Sequence, residues 1–177
     1  MLKGDRIFLR LVEHKDAAMI LSWEKLDELM NITEFENPPS IQLMERLIDE
    51  QRNVLESGQI RFLVCETDSN VPIGLVDLYN IDFTTEKGEI GVVIVNAKNR
   101  GKGYAVEGVR MVHAYAHDVL GVQFVLARVD KENTASNALF RSLGYELEES
   151  ILVPEGKNEF KSHFITRYAY LSADCSL

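Results

Sequence analysis

The segment Glu89-Ile90-Gly91-Val92-Val93-Ile94-Val95 constrains the fold most, because β-branched apolar residues occupy both faces of an extended chain with no polar side to offer to water. Such a strand is expected to lie centrally in a sheet and to be covered on both sides. Directly after it comes Asn96-Ala97-Lys98-Asn99-Arg100-Gly101-Lys102-Gly103-Tyr104-Ala105, and then a helical pattern from about Gly103 to Leu120 with Val106, Val109, Val112, Tyr115 and Ala116 among its apolar positions. A strand, a glycine-containing turn and a helix in that order make a crossover, so the neighbouring strand on one side runs parallel.

The flanking elements follow from period and punctuation. Arg6–Glu13 alternates as a strand, and Asp16 is placed to cap a helix that runs to about Met30 with Met19, Trp23, Leu26 and Met30 on one stripe. Asn37-Pro38-Pro39-Ser40 breaks the chain. A second helix covers Ile41–Glu56, with Ile41, Met44, Leu47, Ile48 and Leu55 at helical spacing, and Ser57-Gly58 stops it. Ile60–Glu66 and Val71–Ile81 are strands joined by Thr67-Asp68-Ser69-Asn70, and the loop 82–88 leads into the central strand. Beyond the third helix come a strand at Phe124–Val129, a short helix at Asn133–Leu143 with Gly144 just past its end, and two strands, Tyr145–Val153 and Phe160–Leu171, joined by Pro154-Glu155-Gly156-Lys157-Asn158. The order β-α-α-β-β-β-α-β-α-β-β predicts an α+β fold: a mixed, mostly antiparallel sheet with helices on both faces. Its 177 residues, with no repeat or linker, are read as one domain over 1–177.

Composition narrows the function classes. A net charge of −9 is the wrong sign for a protein that grips nucleic acid through phosphate neutralisation. No apolar run reaches the roughly 18 residues of a membrane helix, and the N-terminal residues lack the pattern of a signal peptide. Cys65 and Cys175 form no CxxC pair, so a reducing cytoplasm is the expected compartment. Cys65 falls in a strand and is expected to be buried; nothing around Cys175 points to an activated thiol. His113 and His117 sit four apart on the third helix, but position 114 is Ala, HExxH fails, and no metal is expected. The Trp23 stripe is expected in the core.

The turn at residues 96–105 carries the chemistry. Two glycines let several backbone N–H groups face one way, and these run into a helix N-terminus that favours anions. Lys98, Arg100 and Lys102 add positive charge, so a phosphate or diphosphate cradle is the physical reading. The turn is neither a GxxxxGK[ST] loop nor a full GxGxxG; a plain connection and a nucleotide-phosphate site both remain open on these residues alone.

Arg100-Gly101-Lys102-Gly103-Tyr104-Ala105 resembles the [QR]xxGx[GA] motif of the GNAT superfamily, the GCN5-related N-acetyltransferases. Residues 130–145, DKENTASNALFRSLGY, resemble the N-x-x-(S/A)-x-x-x-(Y/F)-x-x-x-G-(F/Y) segment of that family, and the element order is similar throughout. The resemblance implies an acetyl-CoA-dependent N-acetyltransferase in which the amides of Arg100, Gly101, Lys102, Gly103, Tyr104 and Ala105 bind the diphosphate. It further implies a bulged strand over Gly91–Val95 that splays from Phe124–Val129, with Val93, Ile94 and Val95 pairing with the pantetheine arm. An N–H near Val93 would stabilise the oxyanion, and Asn133 would touch the arm or cap its helix.

For the chemistry, an aliphatic ammonium with pKa near about 10.4 must lose a proton before attack. Glu89 matches the position of a family glutamate and is the candidate base, with Asp77 and Glu86 as alternatives. Phe140 stands where many members have a tyrosine acid. Ser136 matches a serine of the ribosomal-protein and related subfamilies and is either a partner of the CoA sulfur or a small residue in close helix packing; Tyr104 and Tyr145 are more distant candidates for the acid. A non-catalytic acyl-CoA-binding module of the same fold is the alternative. Residues 13–56 hold eleven acids (Glu13, Asp16, Glu24, Asp27, Glu28, Glu34, Glu36, Glu45, Asp49, Glu50, Glu56) against four bases, a net −7. Either this is a solvated helix face or it walls a site for a cationic acceptor. The chain is similar to bacterial spermidine/spermine acetyltransferases and, through Ser136, to ribosomal-protein N-acetyltransferases. The acceptor thus stays open between a polyamine, a peptide α-amine and another small amine, and a homodimer is compatible with the family.

Overall fold

The computed structural model describes residues 1–26, 40–154 and 162–171. In chain order the strands are β1 (Leu2–Lys3), β2 (Ile7–Leu11), β3 (Ile60–Glu66), β4 (Pro72–Asp82), β5 (Lys87–Ile94), β6 (Phe124–Asp130), β7 (Glu146–Pro154) and β8 (Ser162–Leu171). The helices are α1 (Ala17–Glu24), α2 (Ile41–Glu50), a single turn α3 (Val54–Ser57), α4 (Tyr104–Asp118) and α5 (Thr134–Ser142), with 3₁₀ turns at His14–Asp16 and Ala97–Asn99. One sheet takes the order β1-β2-β3-β4-β5-β6-β8-β7. All its pairings are antiparallel except β5 with β6, the pair separated by the α4 crossover.

Period two along the strands divides the side chains between two cores. Ile7, Leu9, Val64, Val76, Leu78 and Ile90 pack against Val109, Val112 and Ala116 of α4 and Phe140 of α5. On the opposite face Leu63, Cys65 and Leu75 pack against Ala17 and Ile20 of α1 and Met44 and Ile48 of α2. The expected α+β architecture is therefore present, with Cys65 buried in the second core.

Four local expectations need correction. Asp16 stands at the N-cap position of α1 but makes no capping bond there: its carboxylate accepts from the Glu13 N–H at 2.9 Å, closing the capping box of the preceding 3₁₀ turn, and it pairs bidentately with Arg10 at 2.7 and 2.8 Å. The second helix does not run unbroken to Glu56, because Gln51 leaves it to serve two strands. Its Nε2 donates to the Val12 carbonyl at 2.7 Å and its Oε1 accepts from the Arg61 N–H at 3.1 Å. The break turns Leu55 outward, where it is 70% exposed rather than part of a buried stripe. Finally, β5 keeps a regular register with β4 through Gly91–Ile94; the irregularity lies at Tyr79/Asp82, where Asn80 takes φ 50°. The expected helix end at Met30, Asp27, Glu28, Glu34, Glu36, the Asn37-Pro38-Pro39 break, the 155–158 turn and Cys175 lie outside the described residues.

Candidate active site

The parallel pairing of β5 with β6 covers only Lys87↔Phe124, Gly88↔Val125 and Glu89↔Leu126. Past Glu89 the strands part: β5 still packs on both faces, Val92 against the first core and Val93 against the second, but its edge toward β6 is open and Gly91, Val92 and Val93 are half-buried. The Val95 N–H donates to the Ile73 carbonyl at 3.0 Å, and two-residue alternation therefore turns the Val93 N–H toward β4 as well. The amides of β5 that face the opening belong to Val92 and Ile94, which corrects the expectation centred on Val93.

At the end of β5 the loop is built largely by its own side chains. Asn96 Oδ1 accepts from the Lys98 N–H at 3.0 Å. Arg100 folds back, its Nε donating to the Ile94 carbonyl and a terminal nitrogen to the Val95 carbonyl, both at 2.9 Å. Its guanidinium is thus a clasp between loop and strand, while Lys98 and Lys102 are exposed. Gly101 (φ 74°) and Gly103 (φ 82°) take left-handed conformations that L side chains rarely adopt. The N–H groups of Gly101, Lys102, Gly103 and Tyr104 donate to no acceptor among the described residues, and the first helical bond of α4 is Glu107 N–H to Gly103 C=O at 3.1 Å. A Cβ on Gly101 would meet nothing within 4 Å, so space lies directly in front of these donors.

Neighbouring residues hold the loop in place. Arg6 donates to the Lys102 carbonyl at 2.5 Å and to Glu107 at 3.0 Å, while Glu107 also accepts from the Arg6 N–H at 2.9 Å. Burial opposes the charge on Glu107, but these donors win and hold its carboxyl below the usual range. The Tyr104 hydroxyl donates to Glu66 at 2.8 Å. That bond pushes the phenol above its ordinary value and leaves Tyr104 a fastener, not an acid for the site.

On the face of α1 and α2 the sheet lines a cavity of about 670 Å³. Trp23, Glu24, Leu47, Leu55 and Glu56 bound it from the helices, and Arg61, Asp77, Tyr79, Asn80, Gly91 and Val93 from the strands. Trp23, expected in the core, is half-buried and borders this space. Arg61 and Asp77, directly opposed on β3 and β4, form a bidentate pair at 2.9 and 2.7 Å. Desolvation pulls the Arg61 guanidinium down, but the charges of Asp77 and Glu24 outweigh it and hold it above its ordinary value. Much of the remaining acidic segment is paired on the surface: His14 and Arg52 both contact Asp49, and Arg46 contacts Glu50.

Glu89 lies on the same face of β5 as Gly91 and Val93, opposite Tyr79; it is 7% exposed and stands outside the residues that line the cavity. Its Oε1 accepts from Arg128 at 2.6 Å and from Asn80 Nδ2 at 3.3 Å; its Oε2 is buried and has no hydrogen-bond partner among the described residues. Glu86, the alternative to it, is exposed in the β4–β5 turn with φ 55°. Asn133 caps α5, its Oδ1 accepting from the Ser136 N–H at 3.0 Å, and Ser136 is half-buried. Asn137, which sequence reasoning passed over, is buried and donates to the carbonyls of Asp130 and Asn133 at 2.9 and 2.7 Å, fixing the β6–α5 turn. Phe140 is 3% exposed and packs edge-on against Tyr145 at 4.9 Å, so it is a core residue and not a wall of the site. The Tyr145 hydroxyl is hydrogen-bonded to His113 Nε2. His117 contacts Asp118 instead, so the two histidines do not converge.

A family model described as an acetyltransferase (GNAT) domain matches residues 6–146. Among curated relatives, the SPbeta prophage-derived uncharacterized N-acetyltransferase YokL of Bacillus subtilis is 27% identical over 175 residues, 97% of this chain and 89% of that one. The spermidine N(1)-acetyltransferase of Escherichia coli K12 is 26% identical over 102 residues, 57% of this chain and 53% of that one. Among solved structures, the spermidine N-acetyltransferase from Vibrio cholerae in complex with CoA and spermine superposes with a TM-score of 0.80 at 22% identity, covering 95% of this chain and 96% of the other.

Proposed function

Since the chain belongs to the GNAT acetyltransferase family and is an acetyl-CoA-dependent N-acetyltransferase, we propose that its acceptor is a cationic aliphatic amine of the polyamine class, bound in the cavity beneath α1 and α2. The observation that carries this reading is the lining of that cavity, where Glu24, Glu56 and Asp77 face a single guanidinium, Arg61. Aromatic and aliphatic surface from Trp23, Leu47, Tyr79 and Val93 completes the wall and suits the methylene spacers of such a chain. The relatives named for spermidine support the same class. The buried free thiol of Cys65 fits a reducing compartment such as the cytoplasm.

The donor's place follows from the loop and the parted strands. The amides of Gly101, Lys102, Gly103 and Tyr104, with Lys98 and Lys102 nearby and the α4 N-terminus behind them, fit a diphosphate. The open edge of β5 at Val92 and Ile94 fits the amide groups of a pantetheine arm, with Asn133 and Ser136 across the gap from α5. When bound there, acetyl-CoA supplies an activated thioester carbonyl. The chain's own residues orient the amine, exclude water from the cavity floor and accept the proton that an ammonium must lose. Glu89 is the group for that last task, by way of water, since its carboxylate stands behind the cavity lining. The thiolate, with a pKa of about 8.5, departs without a dedicated acid.

An amine panel tests the reading, with thiol release from acetyl-CoA as the readout. Spermidine and spermine should turn over, and a short peptide α-amine should be at least tenfold poorer in kcat/KM. Glu24→Gln should raise the spermidine KM about tenfold, the loss of one charged contact, and leave the acetyl-CoA KM within twofold. Preference for the peptide, or an unchanged spermidine KM in this variant, would overturn the assignment.

A further inference from the structure

The last link between β5 and β6 is a pair of side chains. Pairing ends at Glu89↔Leu126, and two residues along β6, on the same face, Arg128 reaches back to Glu89 Oε1 at 2.6 Å. From the other side Asn80, displaced by the β4 irregularity with φ 50°, donates to the same oxygen at 3.3 Å. Two donors therefore converge on Oε1. Oε2 is left buried with no hydrogen-bond partner among the described residues, a costly arrangement unless something uses it. The guanidinium is itself 45% exposed in side chain, against 10% for the carboxylate, so it reaches the pair from the open side of the gap.

We propose that Arg128 is the positioning residue of this enzyme's proton acceptor: by bonding Oε1 at the mouth of the β5–β6 gap, it fixes the orientation of the Glu89 carboxylate, which takes the acceptor's proton by way of water. This rests on the reading of Glu89 as the base. Without Arg128 the carboxylate is free to rotate about its last torsion and to offer either oxygen, and the proportion of productive orientations falls. The loop at Gly101–Tyr104 and the acceptor wall at Trp23, Glu24 and Arg61 lie on other elements and are untouched by that rotation. The expected defect is thus confined to turnover.

Steady-state kinetics on four variants, with melting temperatures, test both layers separately. Arg128→Gln should lower kcat at least tenfold, with the KM for acetyl-CoA and the melting temperature close to wild type. Arg128→Lys, which restores a cation but not the planar fork, should recover part of kcat. Glu89→Gln should lower kcat by a larger factor, and the double variant Glu89→Gln/Arg128→Gln should be no slower than Glu89→Gln alone, because the guanidinium has nothing left to position. Full activity in Glu89→Gln would remove the base assignment itself. A slow Glu89→Gln variant combined with an Arg128→Gln defect that persists undiminished in the double variant, or that appears as a higher acetyl-CoA KM or a lower melting temperature, would leave the base intact and overturn the role given to Arg128.

Discussion

Replacing Gly101 by alanine separates what the basic turn does for the fold from what it does for a ligand. Gly101 holds φ 74°, and a Cβ added there meets nothing within 4 Å. Gly121, in the turn between α4 and β6, is a matched control: φ 71°, again with nothing within 4 Å. Each substitution forces an L residue into the left-handed region at about 1–2 kcal/mol, which for a chain of this length lowers the melting temperature by about 2–8 °C. The stability costs should therefore agree within error. Their effects on CoA should not. The methyl group at position 101 projects into the space in front of four undirected amides, and the loss of one charge-assisted hydrogen bond, about 1.5–3 kcal/mol, weakens binding roughly 10- to 150-fold. Isothermal titration of CoA into each variant reads the difference directly. Equal CoA affinity in the two variants would refute the argument that the open space at Gly101 is where the diphosphate sits.

Two further outcomes follow from the buried residues around α5. Burial pulls His113 down from the ordinary 6.5 to about 4. The unfolded chain then binds the extra proton between those values, so stability is fully retained above pH 6.5 and falls progressively as the pH drops toward 4, the loss reaching about 2.5 kcal/mol at pH 4.5. Urea denaturation at pH 7 and pH 4.5 should show His113→Gln losing about that much less than wild type across the interval; equal losses would mean that the imidazole is not the group concerned. Phe140→Tyr places a hydroxyl in a packed core beside Tyr145, and it should cost about 1–3 kcal/mol without raising kcat. A tenfold gain in kcat would show that position 140 faces the reacting groups after all.

The fold was legible wherever a segment's period and punctuation agreed. Ser40 caps α2 by accepting from the Leu43 N–H at 3.1 Å, Asn133 caps α5, and Gly144 ends it with φ 85°, all at positions that residue type alone marks. Glycine spacing located the amide-rich turn and helix start correctly. What period and composition cannot express is partnership across the chain. Gln51 breaks a helix because two backbone groups, on β2 and β3, need its amide; no local pattern announces that. Arg100 looks like a phosphate ligand among lysines, but its length and fork suit the two carbonyls at the end of β5. Trp23 reads as core by hydrophobicity and does pack against the second core, but its remaining surface borders the cavity. Arg128 and Asn80 were overlooked because only the register of β4, β5 and β6 brings them to Glu89. A signal was present in Arg128 all the same: a charged residue between Ala127 and Val129, inside a strand, FVLARVD, that is otherwise apolar up to its final Asp130.

The amides at the start of α4 offer the most direct test. Amide hydrogen exchange followed by NMR should find the N–H groups of Gly101, Lys102, Gly103 and Tyr104 exchanging fast in the free protein, since none has an acceptor among the described residues. Saturating CoA should slow them at least tenfold, together with Val92 and Ile94 on the open edge of β5. Exchange at these six amides that stays unchanged while CoA binds and acetyl transfer proceeds would contradict the account at its centre.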